Sequence, residues 1–247
     1  MQRMWEIDVL RGTAVMLMVL FHLVFDLAYL GLWSVNPYAG GFLLLQRTTA
    51  FLFLSLVGVS LALSHQKHPG FGHNLSRFFA LAAVALLITL ATSIYPGNGA
   101  IVFGIIHLIA VSVVLGWFFL KLPATANLLL GLLALGQGMA FDATAFVSGF
   151  AASAPAAAQP FFLVLGFPHA GFASLDYYPL LPWFGLVLIG MAAGKALYYQ
   201  PKPVFKTAMP SALKPLAWLG KNALAIYLVH QPILFGLIWA ATALPNL

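Results

Sequence analysis

Charge is almost missing from this chain. Only 6% of its 247 residues are Asp, Glu, Lys or Arg, and 62% are hydrophobic; soluble domains carry about a quarter charged residues. Such a chain has too little polar surface to stay dissolved as a globule, which excludes the soluble enzymes and binding modules. Cysteine is absent altogether. That excludes disulfides, cysteine-held metals and a thioester-forming nucleophile, and leaves the redox compartment open. The excess of Lys and Arg gives a net charge of +6. These residues are scattered over connecting segments rather than gathered into one stripe with interleaved aromatics, so no nucleic-acid partner is indicated. No metal site is expected either, because the histidines at 65, 68 and 73 do not follow a metal-ligating spacing. No internal repeat is evident, which weighs against the transporter folds built from repeats.

What is present is a series of long apolar runs. A membrane-spanning helix needs roughly 20 mostly apolar residues, because the hydrocarbon core is about 30 Å thick. Segments 9–32, 42–64, 78–95, 100–120, 124–140, 178–198 and 222–244 qualify. The chain therefore reads as an all-α integral membrane protein, a bundle of about seven transmembrane helices forming one domain over residues 1–247. The first run is too long for a signal-peptide core and carries Arg11, His22 and Asp26, so it reads as a retained helix. The turn at 96–99, Pro-Gly-Asn-Gly, predicts an antiparallel hairpin of the third and fourth helices. With the N-terminus in the cytoplasm, ten Lys and Arg fall inside and only Arg47 outside, as the positive-inside rule requires. The longest outer segment, about 141–176, has no Lys or Arg and is read as a loop packed on the outer face.

Ionisable side chains in lipid are costly and mark functional sites. His22 and Asp26 on the first helix, Arg47 on the second and His107 on the fourth lie in the outer halves of their expected spans. They are the candidate catalytic residues. His22 and Asp26 are four apart and share a helix face, so the carboxylate is expected to orient the imidazole as a base. At the cytoplasmic end of the first helix Asp8 and Arg11 are three apart and suited to pairing, and Gly12 allows a close helix approach. The last span carries a polar stretch of Asn222, Tyr227, His230 and Gln231, with Asn222 placed to cap the helix start. Arg77 is a basic residue of an inner loop.

Four runs together carry a resemblance. They are Trp5-Glu6-Ile7-Asp8-Val9-Leu10-Arg11-Gly12 followed by Phe21-His22; the run Phe103-Gly104-Ile105-Ile106-His107-Leu108; the run from Asp176 to Trp183; and the run from Gly220 to Pro232. In this order they resemble the bacterial branch of the heparan-alpha-glucosaminide N-acetyltransferase catalytic-domain family. The spacing of eleven from Arg11 to His22 also resembles the acyltransferase-three family, in which that Arg and His are essential. The resemblance implies an enzyme of the bacterial inner membrane. It would move an acetyl or similar acyl group from cytoplasmic acetyl-CoA to a sugar, glycan or lipid-headgroup acceptor on the outer face. Its partners would be membrane lipids, the acyl-CoA and that acceptor, with a homo-oligomer possible for so small a bundle. Asp8, Arg11, Arg77, Asn222, Tyr227 and His230 are the candidate donor-binding residues. The eukaryotic enzymes use a luminal-loop histidine between the first two helices, and residues 33–41 contain none, so either His22 takes over the role or this branch does different chemistry. Two rival readings stand beside this one: a proton-coupled transporter or flippase, and a non-catalytic scaffold of the same fold.

Overall fold

The computed structural model describes residues 4–95, 99–140, 158–169, 171–199 and 208–243. The described residues are almost entirely helical. In chain order the helices are α1 (Trp5–Tyr29), α2 (Gly40–Lys67), α3 (Phe71–Ile94), α4 (Ile105–Phe119), α5 (Ala124–Ala140), α6 (Gln159–Leu165), α7 (Leu180–Tyr198), α8 (Lys214–Lys221) and α9 (Ala223–Ala243). Each of the seven expected spans is thus a helix, and α6 and α8 are short additions. α1, α2, α3, α7 and α9 are long and apolar enough to cross a membrane, and the protein is a multi-pass membrane protein. α4 and α5 are apolar but have only 15 and 17 residues, roughly 22 and 25 Å of helix.

The chain divides into two compact units, one of residues Met1–Leu56 and Phe205–Leu247, the other of Val57–Val204. The division falls inside α2.

In the first unit α1 packs most extensively on α8, and then on α9. Ile7, Ala14, Val15, Met18 and Phe21 recur at helical spacing and form the buried stripe of α1. Leu10, Met16 and Leu20 on its other face are exposed, as side chains meeting lipid are. At the crossing of α1 and α8 no side chain intervenes. A methyl group on Gly12 would collide with the carbonyl oxygen of Leu216, and one on Gly220 with that of Asp8. The expected close approach at Gly12 is therefore realised, and its partner is a second glycine.

In the second unit α7 is the central helix. Phe184, Leu186, Val187, Leu188, Met191 and Ala192 are all buried, so the helix is covered around this stretch, while Leu197 in its last turn is exposed. It packs on α5, α4 and α6, and Gly58 of α2 lies against the Val187 carbonyl. Gly131 of α5 and Gly185 of α7 repeat the glycine crossing: a Cβ on either would lie 2.7 Å from the other's carbonyl oxygen. α3 packs on α4 but leaves Phe79, Leu86, Leu87, Leu90 and Ile94 exposed.

The expected hairpin of the third and fourth helices is present, since Thr89 near the end of α3 meets His107 near the start of α4. Residues 96–98 of its turn lie outside the described residues, as do residues 141–157 of the long outer segment, Arg3, Lys202 and Lys206. The fourth helix starts five residues later than its apolar run. Phe103 instead pairs in extended form with Tyr177, and the Tyr178 N–H donates to the Phe103 carbonyl at 3.0 Å. The seventh run becomes α9, which starts one residue late, at Ala223, directly after the short helix α8 and its junction residue Asn222. There Asn222 does not cap the start of α9; its Nδ2 donates to the Trp218 carbonyl at 2.9 Å and closes the end of α8.

The glycine crossing makes a controlled test. Gly12→Ala should lower stability by roughly 1–3 kcal/mol through overpacking. Gly136→Ala, in α5 with open space around it, should be neutral or raise stability by up to about 1 kcal/mol. Thermal unfolding of the two variants in detergent checks this. Equal behaviour would remove the close crossing as a determinant of the fold.

Candidate functional site

The first unit gathers four polar side chains into one seam between α1 and α9. Their placement follows from helical spacing: His22 and Asp26 lie one turn apart on α1, and His230 and Gln231 are neighbours on α9. The rings of His22 and His230 meet edge to face with centroids 4.8 Å apart. Beside them Gln231 Nε2 donates to Asp26 Oδ1 at 3.3 Å.

Each imidazole is tied to its own helix. His22 Nδ1 lies 3.0 Å from the Met18 carbonyl oxygen, and His230 Nδ1 lies 2.7 Å from that of Tyr227. A carbonyl only accepts, so Nδ1 carries the proton in both rings. In the neutral imidazole Nε2 then holds a lone pair. His230 Nε2 is buried and has no hydrogen-bond partner. The pair is chemically equipped to take a proton.

This corrects one expectation. Asp26 does not orient His22, whose tautomer is set by the Met18 carbonyl one turn back. Asp26 is fully buried, at 0% exposure. It has Gln231 as its partner, and its Oδ2 is unpartnered. Arg47 is exposed on α2 and has no ion-pair partner among the described residues, so it is not the counter-charge of Asp26.

A second group lies towards the N-terminal end of α1. Arg11 Nη1 donates to Asp8 Oδ1 at 3.2 Å, the expected ion pair. Asp8 is buried, and its backbone carbonyl lies against Gly220. Asn222 follows two residues later at the α8–α9 junction. Tyr227 is one turn before His230, with ring centroids 5.5 Å apart.

His107 and Arg77 belong to the second unit. Both nitrogens of the His107 ring are engaged. The Gly104 N–H donates to Nδ1 at 3.2 Å, so the ring proton sits on Nε2, which donates to Thr89 Oγ1 at 3.1 Å. Thr89 in turn donates to the Ile101 carbonyl at 2.6 Å. His107 is thus a fastening between the start of α4 and the end of α3, with no lone pair left for a substrate. Arg77 is half-buried near the start of α3.

At the two ends of α4 the structure places two residues that sequence reasoning did not single out as functional. Asp176 Oδ2 accepts the Ile105 N–H at 3.0 Å and so caps α4 from a loop 71 residues away. A Cβ on Gly104 would run into this carboxylate. At the other end of α4, Lys195 Nζ donates to the carbonyls of Leu120, at 3.0 Å, and Leu122, at 2.5 Å, a cation on the negative end of a helix. Charge inside or beside an apolar run was the available signal for both. Among the described residues no group of three or more His, Cys, Asp or Glu could hold a metal.

A family model described as heparan-alpha-glucosaminide N-acetyltransferase, catalytic, matches residues 3–232 of the chain. No curated protein and no solved structure matches it.

The α4 cap generates a pH prediction. Burial pushes the Asp176 carboxyl up to about 6, while the Ile105 N–H draws it the other way. Because the folded value lies above the unfolded one, the folded state holds the proton more tightly, and stability falls as pH rises through about 6. Asp176→Asn keeps an acceptor for Ile105 and does not titrate. Between about pH 5 and about pH 8 the wild type should therefore lose more thermal stability than Asp176→Asn. Parallel profiles would show that this carboxyl does not titrate in that range.

Proposed function

We propose a specific acyltransfer role on one established premise: the chain belongs to the heparan-alpha-glucosaminide N-acetyltransferase catalytic-domain family. The family's name describes an acetyltransferase, and acetyl-CoA is its donor. The protein takes the acetyl group of acetyl-CoA on the cytoplasmic side and delivers it to an amine or hydroxyl of a sugar, glycan or lipid headgroup on the outer side of a bacterial inner membrane. The ten-to-one distribution of Lys and Arg supports an inside N-terminus, with α4 and α5 counted among seven crossings. The family match runs through both compact units, which supports reading residues 1–247 as a single domain.

One observation carries the reading. In a membrane helix, where an ionisable group is costly, His22 is held by the Met18 carbonyl with its proton on Nδ1, leaving Nε2 as a base. His22 Nε2 removes the proton of the acceptor as its nitrogen or oxygen attacks the thioester carbon. The carbon–sulfur bond breaks, and the departing thiolate takes up a proton. General bases of this kind contribute roughly 10²- to 10⁴-fold to rate. His230, edge-on to His22, keeps the base in place and offers a second lone pair. Asp8, Arg11 and Asn222 lie at the opposite end of α1 from His22, the end that faces the cytoplasm in this orientation. There the Arg11 guanidinium is suited to a phosphate of the donor.

The test is acetyl-CoA binding and acetyl-thioester turnover by purified protein in detergent, comparing wild type with His22→Ala and His107→Ala. His22→Ala should retain binding and lose turnover by two to four orders of magnitude. His107→Ala should unfold at lower temperature, with kcat of the surviving protein unchanged. Turnover that survives in His22→Ala overturns the assignment of the base. Absence of acetyl-CoA binding, together with proton-dependent uptake in proteoliposomes, would establish a transporter instead.

A further inference from the structure

Asp26 is a carboxyl group in a place that disfavours a negative charge. It is fully buried. It also lies in the last turn of α1, where its own backbone carbonyl accepts the Leu30 N–H at 2.9 Å and the helix dipole repels an anion. Among the described residues no Lys or Arg forms an ion pair with it. Arg47 is exposed and unpaired among the described residues. Lys214 and Lys221 belong to α8, which meets α1 at Gly12, roughly 20 Å of helix away. The titratable groups of the seam itself are His22 on α1 and His230 and Tyr227 on α9. Both imidazoles already spend their Nδ1 protons on backbone carbonyls.

The hydrogen bonding around Asp26 is incomplete in a specific way. Gln231 Nε2 donates to Oδ1, while Asp26 Oδ2 and Gln231 Oε1 are both buried without partners. Both orphan atoms are acceptors when the carboxyl is ionised, and they belong to two groups that already share one bond. A single proton on Oδ2 satisfies both. The acid then donates to Gln231 Oε1 and accepts from Gln231 Nε2, in a cyclic acid–amide pair. Buried polar atoms without partners are rare in folded proteins, so one proton that removes two of them has a strong physical warrant.

We propose that Asp26 is a proton-binding site that stands in the folded membrane protein as the neutral acid paired with Gln231. The proton locks α1 to α9 beside the two imidazoles. Its loss leaves an anion at a helix C-terminus with half its hydrogen bonding, and loosens the contact that holds His22 against His230. The seam is the one used in the acyltransfer reading, but the protonation state does not depend on that reading.

Infrared spectroscopy of the intact protein in lipid nanodiscs at neutral pH tests it. The wild type should show the C=O stretch of a protonated, hydrogen-bonded carboxyl, and Asp26→Asn should lose that band. Gln231→Leu should keep the band and shift it to higher frequency, as the acid loses its amide partner. Asp26→Asn, which can form the same cyclic pair as an amide, should match the wild type in thermal stability at low pH and exceed it as pH rises. A wild-type spectrum without the band overturns the proposal. So does thermal stability that depends on the concentration of sodium or potassium ions and collapses in Asp26→Asn, which would mark an ionised carboxylate holding a cation. Acetyl transfer is not a readout here, so failure of the proton site and failure of the enzyme reading are separately visible.

Discussion

Lipid removes the force that drives helices together in water, since the tails are as apolar as the side chains they would replace. What remains is van der Waals contact and hydrogen bonding, and both require backbones to come close. The crossing of α1 and α8 at Gly12 and Gly220 meets that demand with no side chain on either helix at the contact point. Much else in the first unit depends on it. α8 leads through Asn222 directly into α9, so the docking of α8 sets the height at which α9 runs along α1. The seam of His22 with His230 and Asp26 with Gln231 forms farther along the same two helices. A shift of one residue in that register would separate all four side chains.

The same scarcity of partners sorts the polar groups by use. Each histidine of the seam gives one ring nitrogen to its own helix and retains the other. His107 gives both to the scaffold. Lys195 closes the carbonyl end of α4 and Asp176 its N–H end. A histidine with both nitrogens engaged is a structural part, and one with a lone pair left over can still accept a proton. The distinction comes from counting donors and acceptors, not from depth in the membrane.

Much of this was legible from residue order. The apolar runs located the seven long helices, and the glycine of the Asp8-Arg11-Gly12 pattern announced a close approach. The i,i+3 spacing of Asp8 and Arg11 foretold their ion pair. The partner of Asp26 was not legible, because spacing along α1 favours His22 while the true partner, Gln231, is 205 residues away. Nor was the late start of α4. An apolar run cannot reveal that Asp176 reaches its N-terminus from a distant loop, or that Phe103 pairs with Tyr177 in extended form. Nor was α8 legible, whose eight residues before Asn222 are too few to show as a membrane-spanning run.

The four runs that resemble the family resolve, in space, into two contacts. The Trp5–Gly12 run with Phe21-His22 meets the Gly220–Pro232 run across the glycine crossing and the polar seam. The Phe103–Leu108 run meets the Asp176–Trp183 run through the carboxylate cap and the extended pairing. Packing and capping thus account for much of what these runs do. The loop of residues 33–41 has no histidine, and the first unit contains only two, His22 and His230. If a histidine base serves this half of the protein it must come from a helix. Both candidates sit in the one seam where α1 and α9 are held in register by the crossing of α1 with α8. On the proposed reading, the helix pair offers what that loop does not, a lone pair held at a fixed tautomer on His22 and His230.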